Sequence, residues 1–198
     1  MTIEALKIPD VQYIDVNLLE GEHLTEEFKK LNPLHTIPIL KDDDFIIWDS
    51  HAICSYLVTV FGEDDSLYPK DPKKRATVDQ RLHFDSGILF PAVRGAVEPI
   101  LFWGEKKFRQ ESLNKIQSSY EFTDKLLTSE WIAGDVLTLA DICCMSSISS
   151  MNEILQIDQN KYGNLWNWLQ RCSKLLIYKT VNDPGLQELR ELFKSKLE

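Results

Sequence analysis

The sequence predicts an α+β protein in two parts, a small mixed domain followed by an all-α domain. Before Gly62, short apolar segments alternate with proline and acidic residues, a pattern typical of strands and short helices. Residues 63–72 then carry acids and two prolines, which favour a linker. Beyond the linker, apolar residues recur at helical spacing. We therefore place one domain over residues 1–62 and an all-α domain over residues 73–198.

The first part alternates between extended and helical segments. Valine, isoleucine and tyrosine mark the strands, and Thr25 is a plausible N-cap ahead of an acidic first turn. An acidic turn separates the last two strands, as in a hairpin. In order, the predicted elements are a strand at 11–18, a helix at 25–31, strands at 36–40 and Phe45–Trp48, and a helix at Ser50–Phe61 ended by Gly62.

The second part is predicted to be helical throughout. Pro91 and Pro99 lack the N–H that a helix interior uses, so we expect a kink or an interruption there. Thr138 and Asp141 are spaced as a capping box, with Asp in place of the usual Glu or Gln. The predicted helices lie at 75–89, 113–127, 138–154, 165–176 and 185–197.

Composition restricts the partners. A net charge of −9 disfavours nucleic acid, because phosphate binding needs a basic surface. No apolar run reaches the roughly eighteen residues of a membrane span, and no charged-then-apolar signal pattern opens the chain. We expect a cytoplasmic protein with neither a nucleic-acid nor a membrane partner.

The four cysteines do not suggest a metal site. Cys54, Cys143, Cys144 and Cys172 show no CxxC or Cys/His spacing suited to a metal ion. Cys143 and Cys144 are adjacent in an apolar helical segment, which favours buried, reduced thiols. We therefore expect no metal.

Two neighbouring motifs predict a site for a small anionic peptide. In segment 32–40, NPLHTIPIL, Pro38 cannot donate a ladder hydrogen bond, so the backbone beside it is free to pair with another chain. Segment 48–53, WDSHAI, begins a helix whose unpaired N–H groups attract a carboxylate. One strand edge would hold the backbone of the peptide, and one helix N-terminus its acid.

These motifs resemble the thioredoxin-like half of the cytosolic glutathione transferases, the insect epsilon class first and the delta class next. Segment 16–24, VNLLEGEHL, resembles the strand and loop before the glutathione site, and 66–72, SLYPKDP, the interdomain linker. Segments 78–87, VDQRLHFDSG, and 132–141, IAGDVLTLAD, resemble the first helix and the helix-capping motif of the second domain. The resemblance implies a thioredoxin-like first domain, an all-α second domain and a symmetric homodimer.

The resemblance also implies a receptor for the first two parts of glutathione. The Ile37 backbone beside Pro38, which is cis in the family, would pair with the cysteinyl residue. Asp49 would face the γ-glutamyl ammonium, and Ser50 with the helix N–H groups would face the carboxylate. A plain N-cap is the alternative for Ser50. His51 either lends a further donor or is an exposed helix residue.

Two histidines match the family pattern at the glycine end of glutathione. His23 and His35 can each donate a hydrogen bond there, and protonation would add charge. A structural role is the alternative for each.

The electrophile pocket is expected to be apolar. By resemblance, residues of the second domain that recur at three- and four-residue spacing line this pocket, and residues of the first domain form its floor. The alternative is ordinary core packing with a surface ion pair between Arg94 and Glu98. The predicted pocket residues are Leu18, Phe90, Arg94, Glu98, Leu101 and Phe102, with Ile37 also at the floor.

One departure concerns the catalytic residue. In this family the first strand and the catalytic serine precede the segment where this chain begins, and residues 1–7 resemble the tail of the first helix. The first serine of this sequence is Ser50. We therefore expect an incomplete first domain with exposed strand edges and no catalytic residue. Activity would be low, because the thiolate loses its donor.

The leading hypothesis is a glutathione transferase that conjugates glutathione to hydrophobic electrophiles in detoxification. Glutathione would be the co-substrate, and no cofactor is expected. The alternatives are a non-catalytic protein that binds glutathione or lipophiles, and a structural module like the transferase-like domains of translation factors.

Overall fold

The computed structural model describes residues 1–198. A short 3₁₀ helix, Glu22–Leu24, and two π-helical turns, Asp85–Leu89 and Tyr178–Asn182, connect the main elements. The helices and strands are, in chain order, α1 (Thr2–Leu6), α2 (Glu26–Leu31), β1 (Ile39–Asp42), β2 (Phe45–Trp48), α3 (Ser50–Phe61), α4 (Pro72–Phe84), α5 (Phe90–Phe102), α6 (Gln110–Leu126), α7 (Leu139–Ile154), α8 (Gly163–Cys172) and α9 (Asp183–Lys196).

The predicted hairpin is confirmed, with a later start for its first strand. β1 and β2 pair antiparallel from Ile39 opposite Trp48 to Asp42 opposite Phe45. The ladder begins after Pro38 because proline has no N–H to donate. Tyr56 donates a hydrogen bond of 2.7 Å to Asp42, which joins α3 to the hairpin.

The strand predicted at residues 11–18 is wrong. The sheet contains β1 and β2 only, and residues 11–17 form no ladder. A strand depends on hydrogen bonds to a neighbour, and the β-branched composition of this segment cannot supply one. Tyr13 and Ile14 accordingly keep 74% and 77% of their surface exposed.

The helical path from α4 to α5 is continuous. Of the kink or interruption predicted at the prolines, the interruption is therefore wrong, and the kink stays a prediction. Pro91 lies in the first turn of α5, and a π-helical turn precedes it. Pro99 lies inside α5 and cannot donate to the Gly95 carbonyl one turn earlier. Ser112 of α6 donates to that carbonyl at 2.9 Å instead. The Ser112 hydroxyl therefore supplies the hydrogen bond that the Gly95 carbonyl does not receive from Pro99.

The other helices are confirmed with shifted ends. α8 ends at Cys172, before the predicted position 176, because residues 173–175 turn towards the π-helical segment that leads into α9. None of the helices combines the length and the apolar character that crossing a bilayer requires.

The main core lies in the second domain and surrounds α7. Leu139, Met145 and Ile148 of this helix are completely buried, and they belong to one apolar cluster with Trp168 of α8 and Ile116 of α6. Burial of apolar surface is the dominant favourable term in folding, so this cluster is the main source of stabilisation in the domain.

The predicted capping box organises the start of α7. Asp141 accepts hydrogen bonds from the N–H of Thr138 at 2.9 Å, from the N–H of Ile132 at 2.8 Å and from Trp168 Nε1 at 2.9 Å. Burial raises the pKa of the Asp141 carboxyl, and these donors oppose that effect by favouring the ionised form. The carboxylate thus connects the helix start to the preceding loop and to α8.

The linker between α3 and α4 is attached to the second domain. Leu139 N–H donates to the Leu67 carbonyl at 2.8 Å. Arg75 of α4 donates to the carbonyls of Pro69 and Tyr68 at 2.6 and 2.8 Å, and its guanidinium lies 3.8 Å from the centre of the Tyr68 ring. These contacts fix the position of the first domain beside α4 and α7.

Candidate glutathione site between the two domains

The N-terminus of α3 is the first component of the candidate site. Asp49, not Ser50, is the N-cap, and its Oδ1 accepts from the N–H groups of His51 and Ala52 at 2.9 and 3.1 Å. Ser50 is the first helical residue and is exposed. The plain N-cap alternative for Ser50 is therefore wrong, and its hydroxyl lies beside the positive end of the helix dipole.

The segment before β1 is the second component. The Ile37–Pro38 peptide bond is cis, as predicted, and Ile37 is 45% exposed. The buried Asn32 shapes this loop: its amide donates to the Thr36 carbonyl at 2.9 Å, and its Oδ1 accepts from Leu34 N–H at 2.9 Å. Sequence reasoning assigned no role to Asn32. An asparagine followed by proline was the available signal for this turn.

His23 and His35 are brought together. Their ring centres lie 6.1 Å apart, although the residues belong to different segments of the chain. His35 has a positive φ of 48° at the tip of the loop that Asn32 holds, and it is exposed. His23 follows Gly21 and Glu22 in the 3₁₀ helix, and its Nδ1 is buried without a hydrogen-bond partner. The fold therefore brings two imidazole side chains together, one of them two residues before Ile37.

His51 is paired with an acid of the second domain. Its Nε2 lies 2.8 Å from Asp85 Oδ2, and its Nδ1 lies 3.6 Å from Asp49 Oδ1. Burial alone would lower the pKa of His51, but the hydrogen bond to Asp85 and the charges of Asp85 and Asp49 outweigh it, so the pKa is raised. His51 is therefore not the freely exposed helix residue of the alternative interpretation.

A cavity of about 320 Å³ opens between the two domains at this point. Residues of the first domain and of α5 and α7 in the second domain line it. Its lining includes Pro38, Ser50, His51, Asp85, Phe90 and Ile142.

Family comparisons agree with this geometry. Residues 1–60 match the family model "Glutathione S-transferase, N-terminal domain", and residues 67–175 match "Glutathione S-transferase, C-terminal domain". The chain belongs to the glutathione S-transferase family.

The similar proteins include epsilon-class members. "Glutathione S-transferase 1" of Manduca sexta is 64% identical over 198 residues, which is 100% of this chain and 91% of that protein. An epsilon-class glutathione S-transferase from the housefly, Musca domestica, superposes with a TM-score of 0.93 at 43% identity, covering 98% of this chain and 90% of that one. A transferase homologue from Drosophila mojavensis with bound glutathione gives 0.93 at 42% identity, covering 99% and 90%.

The transferase cavity includes some of the predicted site residues and excludes others. Pro38, Ser50, His51 and Phe90 line it. Ile37 and Asp49 adjoin it in sequence, and the histidine pair lies outside its lining. The predicted electrophile residues that do not line the cavity are Leu18, Arg94, Glu98, Leu101 and Phe102.

Arg94 and Glu98 form the surface pair of the alternative interpretation. Arg94 Nε lies 2.5 Å from Glu98 Oε1, and the two side chains are 56% and 32% exposed. An exposed pair of this kind contributes little to stability.

Two features of the transferase cavity were missed from sequence. The first is Asp85, which is 3% exposed. The sequence placed it in the first helix of the second domain and gave no indication that it pairs with His51 of α3. Cys54 and Cys143 line the cavity and are partly exposed, whereas Cys144 and Cys172 are buried. The prediction of buried thiols at 143 and 144 therefore holds for Cys144 only, because adjacent residues of a helix point about 100° apart.

Proposed function

We propose that this transferase conjugates reduced glutathione to hydrophobic electrophiles. The cavity between the domains carries the proposal, because it joins a helix N-terminus and an unpaired backbone edge to an apolar wall. The first two features suit a small peptide with a carboxylate, and the third suits an apolar co-substrate.

Each part of glutathione has a proposed receptor. Ser50 and the first turn of α3 bind the γ-glutamyl carboxylate, and the second oxygen of Asp49 accepts from the ammonium. The Ile37 backbone pairs with the cysteinyl residue in the manner of an added strand. His23 and His35, which the fold brings together, donate to the glycine carboxylate.

The proposed reaction is nucleophilic attack by the glutathione thiolate. Its sulfur forms a bond to the electrophilic carbon; with an aryl halide the carbon–halogen bond then breaks and halide leaves, while the thiol proton passes to solvent. A free thiol with a pKa of about 8.5 is only slightly ionised at neutral pH. Groups that lower the pKa of bound glutathione therefore increase the rate. No metal or organic cofactor is needed, because glutathione itself supplies the nucleophile.

Phe90 is the proposed apolar wall for the electrophile. It is 51% exposed and lines the cavity from α5, and Ile142 adds an apolar surface from α7. Exposed aromatic surface at the mouth of a cavity favours an apolar ligand. Leu18, Leu101 and Phe102 stay predictions for this pocket.

We also propose a cytoplasmic homodimer. Phe45, Val60 and Phe61 of the first domain are 45%, 51% and 39% exposed. A second copy related by a two-fold axis would cover such surface. Four free cysteines are usual in a reducing compartment.

The test is steady-state conjugation of an activated aryl halide, together with calorimetric titration of glutathione. We expect glutathione binding, and conjugation whose rate rises with pH as more thiol ionises. Rates already maximal at neutral pH would show that a group of the protein stabilises the bound thiolate. Binding without conjugation at any pH would support the non-catalytic alternative, and no binding would support a structural module.

A further inference from the structure

A groove of about 510 Å³ follows one edge of β1. All four residues of β1, Ile39–Asp42, line it together with residues of segment 8–14. Its lining has only Ile3 in common with the cavity between the domains. The proposed conjugation therefore leaves this groove without a role.

The first wall of the groove is the free edge of β1. The strand pairs with β2 on one side and with no strand on the other. Asp42 and Phe45 flank a tight turn and exchange hydrogen bonds across it, and such pairs alternate with unbonded ones along an antiparallel ladder. The N–H and C=O groups of Lys41 therefore point away from β2, and no hydrogen bond outside the regular elements uses them.

The second wall is the extended segment that follows α1. Residues 9–16 make no backbone hydrogen bond to any other part of the chain. Their composition is that of a strand, with Val11, Ile14 and Val16 among them. A sequence that favours a strand thus faces the groove with its backbone donors and acceptors unpaired.

Apolar side chains from two helices complete the lining. Ile3 of α1 and Leu57 of α3 lie in the groove, and Leu57 is only 4% exposed. A chain in the groove would therefore meet unpaired backbone groups at both edges and an apolar surface between them. An extended strand has this combination, because its backbone bonds sideways while alternate side chains point to one face.

We propose that this groove is a docking site for an extended, apolar peptide segment of a partner polypeptide, which enters between β1 and residues 9–16 as an added strand. Main-chain hydrogen bonds at both edges provide affinity, and alternate apolar side chains packed on Ile3 and Leu57 provide specificity. A segment of about five residues matches the length of β1.

Other occupants fit the groove less well. A helix uses its backbone groups internally, so it would leave both edges of the groove unpaired. A small apolar ligand would cover Ile3 and Leu57 but has no backbone groups for the two edges. Unpaired strand edges are templates for another strand, and here two of them line one groove.

Hydrogen exchange of the full chain tests the proposal without any variant. The probe is a synthetic peptide of alternating valine and threonine between pairs of lysine, and the control is the same peptide N-methylated at every valine, which keeps its charge but loses those donors. We expect the probe to slow amide exchange in residues 9–16 and in β1, and to leave α7 unchanged. The control peptide should protect neither segment.

A matched pair of variants tests the position of the strand. Ile14 lines the groove and is 77% exposed, and the neighbouring Tyr13 is 74% exposed and outside the lining. We expect Ile14→Asp to weaken binding of the probe about tenfold or more, because the added strand would bury a carboxylate. Tyr13→Asp should leave the affinity unchanged. Fluorescence anisotropy of the labelled probe measures both.

Several results would overturn the proposal. Unchanged exchange at saturating probe would show that no strand docks, and equal protection by the N-methylated peptide would show apolar binding without strand pairing. Equal losses in the two variants would place the probe elsewhere. Protection that depends on protein concentration alone would make a second copy the occupant instead of a partner peptide. The conjugation assay is unaffected in every case.

Discussion

His51 Nε2 lies 2.8 Å from Asp85 Oδ2, so a mostly buried pair joins the first turn of α3 to the second domain. The side chains of His51 and Asp85 are only 15% and 4% exposed, and Asp85 Oδ1 is buried without a partner. The helix start that we propose for binding glutathione is therefore held by an acid from the other domain. Removing the partner of such a buried acid strongly destabilises the folded protein.

The first prediction concerns the pH dependence of stability. The pKa of His51 is raised in the folded state, so its contribution should be fully present below the unfolded value of about 6.5 and be lost as pH rises through the folded pKa. His51→Gln keeps a donor for Asp85 but cannot take up a proton. We expect this substitution to lower the free energy of unfolding by about 1–3 kcal/mol at pH 6 and to weaken the pH dependence of that free energy above pH 6.5. Urea unfolding measures this, with the exposed His83→Gln as control. An equal pH dependence in both variants would contradict it.

The second prediction concerns the capping box of α7. Asp141→Ala leaves the donors of Ile132, Thr138 and Trp168 buried without their acceptor. We expect a loss of about 3–5 kcal/mol in the free energy of unfolding. Asp135→Ala, at an exposed position in the preceding loop, should change stability by less than about 0.5 kcal/mol. Similar losses for both variants would show that Asp141 has no special role.

The third prediction concerns glutathione affinity. Ser50→Ala removes a hydroxyl at the N-terminus of α3, and a hydrogen bond to a charged group contributes about 1.5–3 kcal/mol. We expect the Kd for glutathione to rise about tenfold or more. Thr59→Ala, near the other end of the same helix, should leave it unchanged, because its hydroxyl donates within the helix to the Ser55 carbonyl. Isothermal titration distinguishes the two, and an unchanged Kd for Ser50→Ala would remove Ser50 from the proposed site.

The fourth prediction concerns the proline in α5. Ser112→Ala leaves the Gly95 carbonyl without its donor, and we expect a loss of about 1–2 kcal/mol in the free energy of unfolding. Ser118→Ala, on an exposed position of the same helix, is the control. In Pro99→Ala the helix regains its own donor, so the effect of removing the Ser112 hydroxyl should be smaller there. Thermal unfolding of the double variant checks this coupling.

The fifth prediction concerns the electrophile. Phe90→Ala removes an aromatic wall of the cavity and should raise the KM for an apolar aryl halide about tenfold, while the KM for glutathione stays the same. Ile88→Ala, exposed and outside the cavity lining, is the matched control. A parallel rise in both KM values would indicate a general disturbance of the domain interface.

By itself, the sequence determined the features that depend on neighbours along the chain. The helix from Ser50 to Phe61, the capping box at Thr138 and Asp141, and the hairpin around the acidic turn are short-range patterns. The helix and the capping box appear where they were predicted, and the hairpin does so with its first strand shifted to Ile39–Asp42. The family motifs also predicted that Pro38, Ser50 and Phe90 belong to one site, and the three residues line one cavity. This was possible because proteins that share the spacing of those motifs also share the fold.

Tertiary structure decided what depends on contacts between distant residues. Whether residues 11–18 form a strand depended on a ladder partner, and whether Pro99 interrupts a helix depended on Ser112. His51 pairs with Asp85, which lies 34 positions further along the chain, and Cys54 and Cys143, 89 positions apart, line the same cavity. Periodicity and capping are local properties, whereas hydrogen-bond satisfaction and pKa depend on whichever groups the folded chain brings within a few ångströms.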